Sequence, residues 1–185
     1  FVTGEIRHGP VWLLVIGALM ALSVGAAWIA LNAWSALFVF LGAFFYAIVY
    51  TVWLKRRSWT NIVIGGASGS FAVLAGAAAI DPGLGPVPIM LALVLFMWTP
   101  SHFWSLAIAK HRDYVKTGVP MLPVAKGAAA TRRAVLVYSA VLCVLGFAPV
   151  ATGLGGWAYA AVAALGGAGF LASAVRVERS SVGEG

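Results

Sequence analysis

Six apolar stretches, each about as long as a bilayer is thick, dominate this sequence: residues 10–32, 34–54, 61–80, 86–109, 133–152 and 156–177. A helix that crosses the hydrocarbon layer needs about 20 such residues. Within lipid the backbone amides must be satisfied inside the segment, and a helix does this. The chain is therefore predicted to be all-α, a polytopic transmembrane helical bundle with six spans. Composition leaves no soluble alternative. Only 9% of the residues are charged and 62% are hydrophobic, whereas a soluble domain carries about 25% charged residues.

The charges fix an orientation. Arg7 precedes the first span, and Lys55, Arg56 and Arg57 follow the second. Lys110, Arg112, Lys116, Lys126, Arg132 and Arg133 separate the fourth from the fifth, and Arg176 and Arg179 close the sixth. All 12 basic residues thus fall on one side, and the opposite breaks hold only Asp81. By the positive-inside rule that side is cytoplasmic, and an even number of spans puts both ends of the chain there. The net charge of +7 is then explained by anchors at the lipid headgroups, so nucleic acid is not an expected partner. Cys143 is the single cysteine; it excludes an internal disulfide and reads as an inert core residue. Glycines in the third span (Gly65, Gly66, Gly69) and the sixth (Gly166, Gly167, Gly169) are expected to let helices approach closely.

Three places carry polar chemistry. The first is the long break at residues 110–132, with Lys110, His111, Arg112, Asp113, Tyr114, Lys116 and Lys126. Lys and Arg neutralise phosphate oxygens, and Asp can hold a Mg²⁺ that arrives with a phosphorylated substrate. The stretch Gly118-Val-Pro-Met-Leu-Pro123 predicts a fixed, partly buried path. A plain positive-inside loop accounts for the same composition equally well. The second is the end of span two, where Tyr46 and Tyr50 share a helical face, as do Thr51 and Lys55, with Asn61 just inside span three. The third is Trp98-Thr-Pro-Ser-His-Phe-Trp104 in span four. Pro100 should kink that helix. His102 lies eight residues before Lys110, roughly 12 Å deep at 1.5 Å per residue. Trp98, His102 and Ser105 fall on one face, read as a cavity wall, and an ionisable side chain at that depth is a functional candidate. Together these describe a cavity in the bilayer with a phosphate-binding mouth on the basic side. Carboxylates are scarce there: Glu5, Asp113 and Glu178, with Glu184 in the tail.

Four blocks in order carry a family resemblance: Tyr50-Thr-Val-Trp-Leu-Lys-Arg56, Asn61-Ile-Val-Ile-Gly-Gly66, Trp98-Thr-Pro-Ser-His-Phe-Trp104 and Asp113-Tyr-Val-Lys-Thr-Gly-Val-Pro-Met-Leu-Pro123. Together they resemble the protoheme IX farnesyltransferases of the UbiA superfamily of intramembrane prenyltransferases. The resemblance implies nine spans around a central cavity, and a single UbiA-type domain of which residues 1–185 are a part. It implies an integral protein of the bacterial inner membrane. It implies transfer of a farnesyl group from farnesyl diphosphate to a vinyl group of haem b, giving haem o, with Mg²⁺ assisting the departure of diphosphate. Haem b is there a substrate, not a cofactor. Asp113 matches the acidic residue of the family's second motif and is the implied metal ligand. Asp113, Lys55 and His102 are the implied catalytic residues. Tyr50, Arg56, Asn61, Lys110, Arg112, Tyr114 and Lys116 are the candidate substrate-binding set, of which Arg56 and Asn61 match family positions.

Three departures qualify that picture. The family's first aspartate motif lies before its third helix, and residues 1–7 resemble the stretch just after it, so the six spans are expected to match helices three to eight of nine. Ala72 and Val73 stand where the family has a proline pair, and Ser101 replaces another proline. A chain without the first motif is expected to be inactive alone. Two other readings stay open from sequence: another UbiA-type enzyme acting on a quinone precursor, or a non-catalytic membrane module or transporter. Tyr114-Val-Lys-Thr-Gly118 lacks the second carboxylate that quinone-type enzymes carry after the Asp113 position, which favours haem.

Overall fold

The computed structural model describes residues 9–180. Arg7, Glu5 and Glu184, and the likeness read in residues 1–7, lie outside the described residues. Helix α1 spans Pro10–Ala30 and opens on proline, whose missing N–H is not needed in a first turn. Helix α2 (Ala33–Phe44) is capped by Asn32, whose side chain accepts from the Ser35 N–H at 2.9 Å. The amide of the same residue donates to the carbonyl of Ala78 at 2.6 Å, tying the start of span two to the end of span three.

Span two, expected from sequence to be α-helical, is not so throughout. From Phe45 to Leu54 it is a π-helix, the wider i→i+5 form usually confined to single turns. The Lys55 N–H reaches back five residues to the Tyr50 carbonyl at 2.8 Å, and the Thr51 hydroxyl to that of Tyr46 at 2.7 Å. Span three is likewise divided, into α3 (Asn61–Gly65) and α4 (Ala67–Ile80), with Gly66 between them. Span four is one helix, α5 (Pro86–Ala109), unbroken through Pro100.

The long break is not a loop. It folds into α6 (His111–Thr117) and α7 (Leu122–Lys126). Gly118 closes α6 in the left-handed region at φ 66°, a conformation that a Cβ makes costly. Met121, Leu122 and Pro123 are buried, in keeping with the fixed path read from the two prolines. Span five begins at Ala128, earlier than expected, because Gly127 (φ 84°) turns the chain straight into α8 (Ala128–Gly146). Thr131 and Arg132 are therefore buried helical residues rather than loop residues. The short α9 (Ala148–Ala151) extends that span, and α10 (Trp157–Arg179) forms the sixth.

Each span packs on the next in sequence: α1 on α2, α2 on α4, α4 on α5, α5 on α8, and α8 on α10. Glycine opens the contacts around span three. A Cβ on Gly65 would lie 2.7 Å from the Tyr50 ring, and one on Gly66 3.2 Å from Thr99. In α10 a Cβ on Gly167 would make ordinary contact with Cys143 at 3.6 Å, and Gly166 and Gly169 have nothing within 4 Å, so close approach does not explain these glycines. Cys143 is half-buried, with its thiol 3.4 Å from the Gly167 carbonyl. All six spans are long and apolar enough to cross a membrane, and Leu13, Leu14, Ile29 and Leu165 turn outward, as lipid-facing side chains do. The chain is an integral membrane protein.

The core sits toward the basic end. Ile62 from α3, Trp104 and Ala107 from α5, and Val135 from α8 close around Val119, Met121 and Leu122 of the connecting segment. That segment is a plug: its apolar residues fill the space between the span ends while α6 carries its charges above.

Candidate functional site

The site is built on this plug. Tyr50 at the end of span two and Tyr114 on α6 pack against the same buried cluster, so residues 64 positions apart in sequence meet across it. Lys55 leaves the π-helix with its ammonium 5.9 Å from the centre of the Tyr50 ring, within reach of a cation–π attraction. The bases of this arrangement are held by Asn61. It is fully buried, and its amide donates to the Lys55 carbonyl at 3.3 Å. Its Oδ1 has no hydrogen-bond partner among the described residues, and neither does the buried Trp104 Nε1. Buried polar atoms are usually paired, so an orphaned acceptor and an orphaned donor mark this corner as built for more than packing.

Beneath it lies a cavity of about 360 Å³. Tyr50, Ile62 and Phe103 belong both to the buried cluster around the plug and to this cavity's wall. Gly65, Gly69 and Leu95 carry the wall deeper, and Tyr46 stands 5.9 Å from Tyr50, ring centre to ring centre. The lining is apolar apart from hydroxyls, of which Thr99 is bonded to its own helix at the Leu95 carbonyl. A second cavity, of about 270 Å³, opens on the other side of α5, between α8 and α10. Trp98, His102 and Ser105 all line it, the face expected from their spacing. Trp98 borders both cavities, with the His102 ring stacked on it at 4.4 Å and 13°.

The structure thus brings Tyr50, Lys55, Asn61 and Tyr114 together and leaves other expected residues apart. Arg56, Lys110, Arg112, Asp113 and Lys116 are exposed on the basic face. The Asp113 carboxylate, in the first turn of α6, makes no hydrogen bond among the described residues. His102 lies on the second cavity, not with Lys55 and Tyr50. Sequence reasoning missed Trp104 as an unpaired donor, and missed the buried Ser139 of α8 altogether; a single serine in an apolar run gives no signal.

No three His, Cys, Asp or Glu side chains among the described residues come close enough to cage a metal ion. Asp113 offers one free carboxylate. That donor set does not make a resident site; it fits a divalent ion delivered with a phosphorylated substrate, whose oxygens and waters supply the other ligands.

Spans, plug and cavities define a helical membrane protein with a cationic rim over an apolar chamber. The UbiA prenyltransferase family model matches residues 1–184, and the chain belongs to that family. It is 52% identical over 179 residues to a protein named protoheme IX farnesyltransferase 2 of Paramagnetospirillum magneticum, covering 97% of this chain and 62% of that one. It is 55% identical over 150 residues to protoheme IX farnesyltransferase 1 of the same organism (81% of this chain, 53% of that one). A protoheme IX farnesyltransferase of Hyphomonas neptunium is 46% identical over 175 residues (92% and 54%). The chain therefore spans between 53% and 62% of the length of these relatives. No solved structure matches it.

Proposed function

We propose that this chain is part of an enzyme that transfers a farnesyl group from farnesyl diphosphate to a vinyl group of haem b, giving haem o. The observation that carries the reading is the junction of a cationic rim with an apolar cavity through shared residues: Tyr50 supports Lys55 above and walls the cavity below. An amphipathic substrate with a diphosphate head and a prenyl tail suits both compartments at once. The names of the relatives supply the acceptor.

On this reading the head group lies among Lys55, Arg56, Lys110, Arg112 and Lys116. The allylic C–O bond breaks and diphosphate leaves with the electron pair. An opposite charge at 4 Å is worth about 4 kcal/mol at an effective dielectric constant of about 20, so several cations lower the barrier substantially. Mg²⁺ held by Asp113 would add the same neutralisation when bound. The faces of Tyr46 and Tyr50 are negative, and an allylic cation formed beside them is stabilised as any cation over an aromatic ring is. Asn61 keeps Lys55 in place through its carbonyl, and Tyr114 fixes α6 to the plug. The basic end, with both ends of the chain, is assigned to the cytoplasmic side of the bacterial inner membrane.

The test uses the full-length protein in membranes with haem b, farnesyl diphosphate and Mg²⁺, with haem o detected by mass. A well-folded protein that makes no haem o overturns the reading. Asp113→Asn is expected to lower the rate by about 10²–10³-fold, the usual cost of one transition-state electrostatic contact, with insertion unchanged. Unaltered activity removes Asp113 from the site.

A further inference from the structure

The apolar cavity beneath Tyr50 has a definite end. Phe103, Thr99 and Leu95 follow one another down its wall on α5, and the eight residues of helix from Phe103 to Leu95 make it about 12 Å deep. Of the described residues, none from 70 to 94 lines it. At its foot Leu95 lies over Gly69, where a Cβ would stand 3.4 Å from Leu95 Cδ2. Next to that foot the Ser70 hydroxyl donates to the carbonyl of the buried Ala92 at 2.8 Å and ties α4 to α5. The chamber is therefore shut toward the opposite face of the bilayer.

Across α5 empty space continues behind one side chain. Trp98 borders the apolar cavity, the second cavity and a third of about 370 Å³ between α5, α8 and α10. Its ring is stacked on His102, which in turn meets Phe103 edge-on at 5.4 Å and 82°. Trp98, His102 and Phe103 thus form one aromatic partition along α5. An apolar cavity of about 150 Å³ takes a single benzene ring of six carbons. In proportion, about 360 Å³ takes about 14 carbons, close to three isoprene units and short of four. Joined to the second cavity of about 270 Å³, the same chamber would take about 25 carbons.

Resting on the farnesyl-transfer reading, we propose that Trp98 sets the length of prenyl chain this enzyme accepts. With the diphosphate at the basic rim, the chain runs down past Tyr50 and Tyr46, and its last isoprene unit meets Leu95 and the Trp98 indole. A chain one unit longer finds the floor shut by the tie between Ser70 and Ala92 and the side shut by the indole. Its end stays outside the cavity, or it lifts the diphosphate off the cations. A chain one unit shorter reaches the rim and leaves the foot of the cavity unfilled. A single methylene in an apolar pocket is discriminated by about 10- to 200-fold, so a whole isoprene unit suffices for a sharp cutoff in both directions. Trp98 makes and breaks no bond in this scheme. It touches the far end of the substrate and determines specificity.

The experiment gives the full-length enzyme haem b with an equimolar mixture of the prenyl diphosphates of two, three and four isoprene units, and reads the product ratio by mass. The wild type is expected to favour the three-unit donor over each of the others by at least about tenfold. Trp98→Ala should raise the four-unit product relative to the three-unit product by at least about tenfold. Gly69→Ala places one methyl group at the foot of the cavity, in ordinary contact with Leu95, and should raise the two-unit product relative to the three-unit product by about tenfold. It is the variant less apt to disturb folding, and its ratio decides alone if Trp98→Ala yields no product. An unchanged ratio in either variant, or a wild type indifferent to chain length, overturns the length limit while leaving farnesyl transfer intact. No prenylated haem from the wild type overturns both proposals.

Discussion

Replacing Gly65 with alanine tests the closest contact in the site's foundation. A Cβ there would stand 2.7 Å from Cδ2, 3.0 Å from Cγ and 3.1 Å from Cβ of Tyr50. A ring edge could swing aside, but Tyr50 Cβ is fixed to the π-helix backbone, so the segment carrying Lys55 must itself move. Overpacking of this kind costs about 1–3 kcal/mol, and the helical preference of alanine over glycine returns about 1 kcal/mol. The expected net loss is up to about 2 kcal/mol, a factor of up to about 30 in the folded fraction. Gly169→Ala in α10 is the matched control. Nothing lies within 4 Å of its Cβ, so it gains the same propensity without the clash and should be stabilised by up to about 1 kcal/mol. Unfolding by a denaturing detergent in mixed micelles, followed by tryptophan fluorescence, gives both values. Two variants that move together, or a Gly65→Ala protein more stable than the wild type, would refute the account of Tyr50 as a packed support.

Asn32→Ala removes both the cap on α2 and the tie to Ala78, and should cost about 1–2 kcal/mol in the same assay; a smaller change would show that the tie contributes little. A cysteine beside Asp81 should react with an impermeant thiol reagent added outside intact cells, and one beside Lys116 should not. Labelling in the reverse pattern would turn the bundle over.

Much of the fold was legible because the bilayer enforces length and periodicity on every span. Span four was readable at both ends: Pro86 marks a first turn and Lys110 the return to water. Span five was not, because Thr131 and Arg132 look like loop to a hydropathy reading, yet both are buried residues of α8. The π-helix was hidden for another reason. Its residues, Phe45-Tyr-Ala-Ile-Val-Tyr-Thr-Val-Trp-Leu54, would suit an α-helix, and only hydrogen-bond register separates the two. The site was legible in part. Lys55, Asn61 and Tyr114 lie in recognisable blocks, but no spacing announces that Ser139 and Ser173, from two different spans, share a cavity with His102. Such convergence exists only after three helices have packed.

The π-helix between Phe45 and Leu54 has a bearing on how this span tolerates insertion and deletion. A turn that closes over five residues instead of four accommodates extra chain without lengthening the span in proportion, and it shifts the angular phase of everything that follows. Removing one residue from it would let the segment relax to an α-helix and would change the angle at which Lys55, Arg56 and Arg57 leave the span relative to its lipid-facing residues. The upper half of the span would keep its membrane face while the basic triplet pointed elsewhere. The widened turn is thus a phase adjuster, which lets one helix satisfy the bilayer with its first half and aim its charges independently with its second.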